Sequence, residues 1–288
     1  MTFHGIGERL PTLVPDGPAH LGTVPPFWAF AGRAFGGFSS AAALTGAAAF
    51  APSGSVALAA RISFVSPTLV GPFRIEATDV RLGRSSSAVN VRLTQDGQTR
   101  VTLASWFVRP DLLPAPEPTP PPRADPSACP GTWRDTKNAF DSAFERRTIH
   151  FPATSDAFAL HGPRVELWIR RSGGPPPDAV SRQADDLMLF DAHLAETVIE
   201  GLHADRTRSF SIDLSVTWAG GPWIRSATPE GADDGGDAWR RLTTVGSAAG
   251  RIGTSGGTLT DVSGSTIATA TQLVAVGPPR SDEGGRKR

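Results

Sequence analysis

The chain of 288 residues lacks several features, and each absence excludes a class of protein. Its one cysteine, Cys129, allows neither an internal disulfide framework nor a zinc site built from several cysteines, and it fits a reducing compartment. The absence of tyrosine excludes any activity that needs a phenol. Basic and acidic residues both number 28, so the formal net charge is zero and no overall basic field attracts nucleic acid or an anionic membrane.

A long uninterrupted apolar run is also absent. The longest, residues 41–52, is interrupted by Thr45 and Gly46 and is too short to span a bilayer. It is rich in alanine, which favours a buried helix. Residues 1–14 lack the apolar run of a signal peptide. We therefore expect a cytoplasmic protein that does not bind membranes.

Proline is concentrated near the middle of the chain. Residues 109–130 contain six closely spaced prolines between positions 114 and 122, which cannot form a regular helix or a central strand. An extended polyproline II segment is predicted there. The predicted organisation is a first domain at 1–110, a linker at 111–132, a second domain at 133–278 and a disordered tail at 279–288.

The two halves repeat one order of elements, a helix followed by antiparallel strands. In the first half the pattern predicts a helix that begins at Gly36 and Gly37, and then strands at 56–65, 73–82, 86–95 and 99–108. In the second half it predicts a strand at 165–171, a helix at 185–202, and strands at 209–218, 239–247, 249–253 with 258–261, and 265–276. The repeated order indicates an internal duplication at the scale of a domain.

Several motifs resemble the double-hotdog acyl-CoA thioesterases. In the first half they are Arg33-Ala-Phe-Gly-Gly-Phe38, Ala60-Arg-Ile-Ser-Phe-Val-Ser-Pro67, Leu82-Gly-Arg-Ser-Ser-Ser87 and Arg92-Leu-Thr-Gln-Asp-Gly97. In the second half, Val165-Glu-Leu-Trp-Ile-Arg170 and Ser211-Ile-Asp-Leu-Ser215 keep the same register. The resemblance implies an α+β fold of two tandem hotdog domains, in each of which a long antiparallel β-sheet wraps around a central α-helix.

The resemblance also implies an activity, the hydrolysis of an acyl-CoA or acyl-carrier thioester to a free acid and a thiol. Members of that family activate a water molecule with an Asp, a Ser or Thr, and a Gln of the second hotdog. Carried over to this chain, Asp213 is the expected general base, and Gln272 and Ser247 are expected to hold the water and the developing oxyanion. The first half has no carboxylate at the equivalent place, so one active site per chain is expected.

The first turn of the first helix is expected to contact the substrate through Phe35, Gly36, Gly37 and Phe38. A glycine pair lets a carbonyl approach the free N–H groups of a helix N-terminus. It is explained equally well by a tight turn with close packing of the helix. We expect no metal and no cofactor other than the coenzyme A of the substrate, which would be a fatty acyl or polyketide thioester. A homodimer is expected because hotdog sheets have edges and faces that pair.

Two departures from the family leave other functions open. The strand that carries Asp213 ends in Val216-Thr-Trp-Ala-Gly-Gly221, where the family has an aromatic-basic-proline sequence, and residues 229–237 form a Gly- and Asp-rich insert. The alternatives are a biosynthetic lyase, dehydratase or cyclase that acts on a thioester-tethered intermediate and depends on His193, and a non-catalytic acyl-binding protein.

Two further patterns are assigned structural explanations. Residues 253–257 match the G-x-S-x-G pattern of serine hydrolases, with Ser255 as the nucleophile. That order requires a later histidine, and none follows His203, so a glycine-rich hairpin is predicted. Asp191 and His193 are two residues apart on the second helix and point to different faces, which predicts that one is buried and the other exposed.

Overall fold

A computed structural model describes residues 10–30, 32–115, 125–131, 139–151, 163–202, 204–220 and 239–278. The predicted linker is therefore described only at its two ends. The predicted tail at 279–288 and the insert at 229–237 lie outside the described residues. None of the helices in these ranges is both long and apolar enough to cross a bilayer.

The first half contains one long helix and eight strands. They are β1 (Val14–Asp16), β2 (Ala19–Val24), β3 (Ala29–Phe30), β4 (Arg33–Ala34), α1 (Gly36–Phe50), β5 (Val56–Phe64), β6 (Gly71–Leu82), β7 (Ser86–Gln95) and β8 (Gln98–Val108). The predicted helix and the four long strands are all present. Their ends agree with the prediction to within two residues, because the Gly, Pro and Asp-Gly turns that bound them are explicit in the sequence.

The described residues of the second half form a short helix, a long helix and six strands. They are α2 (Ala139–Ala143), β9 (Phe144–His150), β10 (Arg164–Arg171), α3 (Ala179–Gly201), β11 (Phe210–Trp218), β12 (Arg240–Ala249), β13 (Ile252–Thr260) and β14 (Thr266–Ala275). The helix α3 begins six residues before the predicted start, because Asp178 caps it by accepting a 2.9 Å hydrogen bond from the Ser181 backbone N–H.

The strand β13 is continuous, where the sequence predicted a break at its glycines. Gly253 and Gly257 face α3: an added Cβ at Gly257 would lie 3.0 Å from Leu194 Cδ2, and one at Gly253 would overlap Val198. The glycines therefore mark the close approach of the helix to the sheet and do not mark a turn.

Twelve strands form one antiparallel sheet in the order β1-β2-β6-β7-β8-β5-β11-β14-β13-β12-β10-β9, and β3 and β4 form a separate two-stranded ribbon. The two halves join in the middle of the large sheet, where β5 pairs with β11. Asp213 lies opposite Ser63 and Thr217 lies opposite Ala59 in this ladder. The inner face of the sheet covers α1 and α3, which pack against each other.

The helix α1 is built from small residues and has almost no solvent-facing side. Ten of its 15 residues are buried, and most of them are Gly, Ala or Ser. A Cβ added at Gly37 would lie 2.8 Å from the Met188 Cα on α3. The first turn of α1 therefore touches the backbone of α3, and this approach is possible only because residue 37 has no side chain.

The helix α3 carries buried charges that pair with arginines of the sheet. Arg171 on β10 donates two hydrogen bonds to Asp185, one of them at 2.6 Å. Asp186 accepts from Arg240 on β12 and, at 3.0 Å, from Trp218 Nε1 on β11. Burial raises the pKa of Asp186 to about 6, although Arg240 and Trp218 act against the shift. These pairs fix α3 to three strands of the second half.

One side chain of α3 also forms hydrogen bonds with the first half of the chain. Gln183 is fully buried, and its Nε2 donates a 2.7 Å hydrogen bond to the Ala57 carbonyl, while its Oε1 accepts a 2.9 Å hydrogen bond from the Ala57 N–H. Ala57 lies at a β-bulge of β5, where the ladder with β8 shifts register. The carboxamide of Gln183 thus pairs with backbone groups of β5 at this irregularity.

Replacing Gln183 by alanine is expected to lower the free energy of unfolding by about 2 kcal/mol, because the buried N–H and C=O groups of Ala57 both lose their partner. Urea titrations followed by tryptophan fluorescence measure the effect. Gln98→Ala, at the exposed start of β8, is the matched control. Equal unfolding midpoints for the two variants would contradict this role of Gln183.

Candidate active site

A buried carboxylate lies where α1 meets α3. Asp191, on α3, is 4% exposed. Its Oδ1 accepts hydrogen bonds from Ser211 Oγ at 2.8 Å and from Gln272 Nε2 at 2.7 Å. Gln272 Nε2 is also 3.0 Å from Ser211 Oγ, and the Gly37 backbone N–H donates to the same carboxylate. We call Asp191, Ser211, Gln272 and Gly37 the carboxylate network.

The register of β11 and β14 brings Ser211 and Gln272 to the helices. Gln272 lies opposite Leu214, and Ser211 lies opposite Val274. Leu214 and Val274 are both fully buried on the inner face. Side chains of directly paired residues share a face, so Ser211 and Gln272 both point inward toward α3. Two strands of the sheet thereby supply the polar side chains that hold Asp191.

The start of α1 completes the network. A Cβ added at Gly36 would lie 2.8 Å from Asp191 Oδ2, so a side chain at this position would displace the carboxylate. The N-terminus of a helix carries partial positive charge, which favours an anion beside it. Gly36 and Gly37, which the sequence assigned to a substrate-binding turn, therefore lie directly against the carboxylate.

The environment of Asp191 sets its acid–base behaviour. Burial raises the pKa of this carboxyl, and the hydrogen bonds from Ser211, Gln272 and Gly37 oppose part of the increase. A carboxylate with a raised pKa holds a proton more readily than an ordinary aspartate. The arrangement can therefore act as a general base toward a nearby water molecule.

Aromatic rings surround the start of α1. Phe35 and Phe38 both stack on Trp28, with ring centroids 6.1 and 5.9 Å away. Phe140 of α2 lies edge-on to Phe35 at 5.9 Å. Phe38 also lines a cavity of about 540 Å³ between β2, β6 and the start of α1, whose other walls include Leu21 and Phe73. An apolar cavity thus opens beside α1, the helix whose Gly37 N–H donates to the Asp191 carboxylate.

His193 forms a second buried dyad on α3. Its Nδ1 is 3.0 Å from Glu196 Oε2, and its Nε2 has no hydrogen-bond partner among the described residues. Burial lowers the pKa of His193, although Glu196 partly opposes the shift. Burial raises the pKa of Glu196, but His193 and Arg206 outweigh this effect and lower it to about 2. A neutral imidazole held by a carboxylate is the result.

The prediction that only one of Asp191 and His193 is buried is wrong, since both are less than 5% exposed. The two side chains do point in different directions. However, α3 is enclosed by α1, by the sheet and by Phe140 of α2, which lies 5.5 Å from the His193 ring. Across the described ranges, no three His, Cys, Asp or Glu side chains are grouped so as to hold a metal ion.

Comparison with known protein families finds one similarity, which lies in the first half. Residues 24–108 match the family model of the acyl-CoA thioesterase N-terminal domain. Over these residues the chain is similar to an acyl-CoA thioesterase domain. They contain α1, β5, β6, β7 and β8, together with all four of the predicted substrate-binding residues. No curated protein sequence matches the chain.

Solved structures extend the fold to both halves. The TesB protein of Mycobacterium avium subspecies paratuberculosis superposes with a TM-score of 0.72 at 24% identity, over 92% of this chain and 96% of that one. A conserved protein with a hotdog fold from Alicyclobacillus acidocaldarius gives 0.74 at 21% identity, over 93% and 97%. The acyl-CoA thioesterase II TesB2 of Mycobacterium marinum gives 0.69 at 17% identity, over 98% and 99%. The predicted α+β double hotdog is confirmed.

The structure does not unite the three residues that the sequence assigned to catalysis. Asp213 lies on the outer face of the sheet, opposite Leu273, whose backbone N–H donates to its Oδ1 at 3.0 Å. Ser247 is exposed, and its Oγ lies 3.0 Å from Thr254 Oγ1. Both line a groove of about 600 Å³ on that outer face, and residue 272 also contributes to its lining. The Gln272 amide, however, donates its hydrogen bonds to Asp191 and Ser211 on the inner side of the sheet.

A β-bulge separates the side chains of Ser211 and Asp213. The register between β11 and β14 shifts between Ser211 and Asp213, so these two residues face opposite sides although they are two apart. A regular strand would place both on one face. Ser211 therefore points inward while Asp213 stays on the outer face, and the carboxylate that Ser211 contacts is that of Asp191. Ser255 lies within β13 and not at a strand-to-helix turn, which fails to support a nucleophile at that residue.

Replacing Asp191 by asparagine is expected to stabilise the protein as the pH rises. The pKa of Asp191 in the folded state lies above its unfolded value of about 3.9, so stability present at low pH is lost as the carboxyl ionises. The variant has no such group. Its free energy of unfolding relative to the parent should rise between pH 4 and pH 8 in urea titrations. A difference that stays constant or falls over that range would contradict the burial argument.

Proposed function

We propose that the protein hydrolyses acyl-CoA thioesters, with Asp191 as the general base. The carboxylate network carries the proposal: a buried carboxylate of raised pKa stands at the start of the α1 helix, in the part of the chain that is similar to an acyl-CoA thioesterase domain. Ser211 and Gln272 hold its Oδ1, so the carboxylate has a single orientation toward the helix N-terminus. Proton transfer requires such a fixed geometry.

In the proposed reaction Asp191 takes a proton from water while the water oxygen bonds to the thioester carbonyl carbon. The carbonyl oxygen becomes an oxyanion beside the first turn of α1, where the helix dipole favours negative charge. The C–S bond then breaks, and the thiolate leaves and takes up the proton. The products are a carboxylic acid and coenzyme A. Water is the nucleophile, so coenzyme A enters only as part of the substrate.

The acyl chain is proposed to bind among the aromatic rings at the start of α1. Phe35, Phe38 and Trp28 form an apolar wall there, and Phe38 continues into the cavity of about 540 Å³. Burial of apolar surface is the main source of affinity for an acyl chain. The predicted contact of Phe35 and Phe38 with substrate is therefore kept as part of the proposal.

We also propose a compartment, a metabolic role and an oligomeric state for the protein. A single buried cysteine, Cys129, fits a reducing cytoplasm. Fatty acyl and polyketide metabolism both generate acyl thioesters of the kind that this site would hydrolyse. A homodimer also remains part of the proposal, because β1 is an edge strand of the large sheet as the described residues form it.

Two substitutions that keep the side-chain volume test whether the carboxylate network or the outer face of the sheet is the active site. Asp191→Asn is expected to reduce kcat/KM by about 100-fold or more, because the base is lost while the side-chain volume is kept. Asp213→Asn, the same change on the opposite side of the sheet, is expected to keep parental activity. Thiol release is measured across acyl-CoAs from acetyl to palmitoyl. Loss of activity in Asp213→Asn with full activity in Asp191→Asn would overturn the assignment.

A second function is favoured by one observation, the unpartnered His193 Nε2. Its ring contacts Phe140, which in turn contacts Phe35 before α1, so the dyad lies beside the same aromatic wall. A neutral imidazole backed by Glu196 can remove a proton from carbon 2 of a 3-hydroxyacyl thioester, and the imidazolium can then give that proton to the departing hydroxyl, which leaves as water. This would make the protein a dehydratase on the same scaffold.

The thioesterase needs Asp191 and not His193, whereas the dehydratase needs His193. If the protein is a thioesterase, His193→Gln is expected to retain most thiol release, and Asp191→Asn is expected to lose it. For the dehydratase, His193→Gln would abolish the formation of an enoyl thioester from 3-hydroxybutyryl-CoA, followed by its ultraviolet absorbance. Enoyl formation that requires His193, together with no thiol release by the parent, would replace the thioesterase proposal with the dehydratase.

A further inference from the structure

Two buried polar atoms next to the carboxylate network have no hydrogen-bond partner among the described residues. One is Oε1 of Gln272, whose Nε2 holds Asp191. The other is the hydroxyl of Ser255, on the neighbouring strand β13. Gln272 is 2% exposed and Ser255 is 5% exposed, so bulk water does not reach either group. Unpartnered polar atoms in such positions are rare and call for an explanation.

The two side chains belong to directly paired residues on one face of the sheet. Ser255 lies opposite Gln272 in the ladder between β13 and β14. The flanking residues Gly253 and Gly257 face α3, as their close approach to Val198 and Leu194 shows. Ser255 therefore shares the inner face with Gln272, and cross-strand neighbours have Cβ atoms about 5 Å apart.

We propose that Ser255 is a positioning residue that donates a hydrogen bond to Gln272 Oε1 and so fixes the orientation of the Gln272 carboxamide. A serine hydroxyl can donate and a carboxamide oxygen can only accept, so the two unpartnered atoms are complementary. Rotation about the Cα–Cβ bond of Ser255 moves its Oγ among three staggered positions, and the proposed hydrogen bond forms in the position that faces Oε1.

The orientation of this carboxamide matters because its two ends differ in charge. With Nε2 toward Asp191 and Ser211, the amide donates to both. Turned by half a revolution about its terminal bond, the amide would direct Oε1 at the Asp191 carboxylate and repel it. A donor on the far side, at Ser255, favours the first orientation. The role in turnover rests on the proposed thioesterase function, whereas the hydrogen bond itself does not.

The surroundings of Ser255 indicate that its hydroxyl is not needed for packing. The other inner-face positions of this stretch are Gly253, Gly257 and Leu259, which are all apolar or lack a side chain. Ser255→Ala removes the hydroxyl and keeps Cβ, so it adds no atom to this face. On the residue paired with Ser255, the acceptor without a partner is Gln272 Oε1. The Ser255 hydroxyl is the donor that we assign to it.

The experiment compares Ser255→Ala with Thr260→Val, which removes another buried and unpartnered hydroxyl from the same strand. The chain has only four glutamines, so ¹⁵N labelling of glutamine side chains gives four pairs of amide signals, and Gln272→Ala assigns one pair. Ser255→Ala is expected to shift the Gln272 pair alone. Thr260→Val is expected to leave it in place.

Kinetics tests the consequence of the hydrogen bond. Ser255→Ala is expected to lower kcat for thiol release about fivefold with KM unchanged, and to have no further effect when Gln272 is already alanine. An equal loss in both backgrounds, or an unmoved Gln272 signal pair, would overturn the role of Ser255. If the parent releases no thiol, the thioesterase proposal fails by itself, and the amide signals still decide whether Ser255 holds Gln272.

Discussion

The burial of one carboxylate between two helices is the constraint on which the rest of the structure depends. Asp191 can be buried only if donors replace the water that it loses, and these come from α1, β11 and β14. The donor from α1 is a backbone N–H, so the helix must approach α3 without side chains between them. Gly36 and Gly37 therefore serve the packing and the chemistry of the site at once.

The other carboxylates of α3 are each paired with an arginine or a histidine. Near its beginning, Asp185 and Asp186 pair with arginines of the sheet, and toward its end Glu196 pairs with His193 and Arg206. Breaking such a pair is costly because it leaves one buried charge alone. The helix is held at both ends by charge, and Asp191 between them receives only neutral donors. That difference separates the proposed general base from the carboxylates that are paired with charged partners.

Sequence patterns were sufficient for the architecture but not for the site. The element order, the limits of α1 and the long strands followed from periodicity and turn residues. Asp213 was chosen because it matches a motif of the family, and alternation along β11 correctly places it on the face opposite Leu214. Alternation could not show that Ser211 points inward, because the bulge after Ser211 changes the face of that residue. Asp191 was set aside because a helix with one buried face was assumed. One sign that α3 is enclosed was available in the sequence. Within nine positions, this largely apolar helix has four acidic or histidine side chains, at 185, 186, 191 and 193.

The ladder between β5 and β11 has a consequence for the covalent connection between the halves. These strands join the two hotdogs through backbone hydrogen bonds in the centre of the sheet, and Gln183 adds a pair from α3 to Ala57. A chain cut between β8 and α2 would give two fragments, each with an unpaired strand where its neighbour had been. Such edges recombine readily. The two pieces should therefore reassemble into an intact site as a split protein, in which Asp191 from one fragment meets the start of α1 from the other.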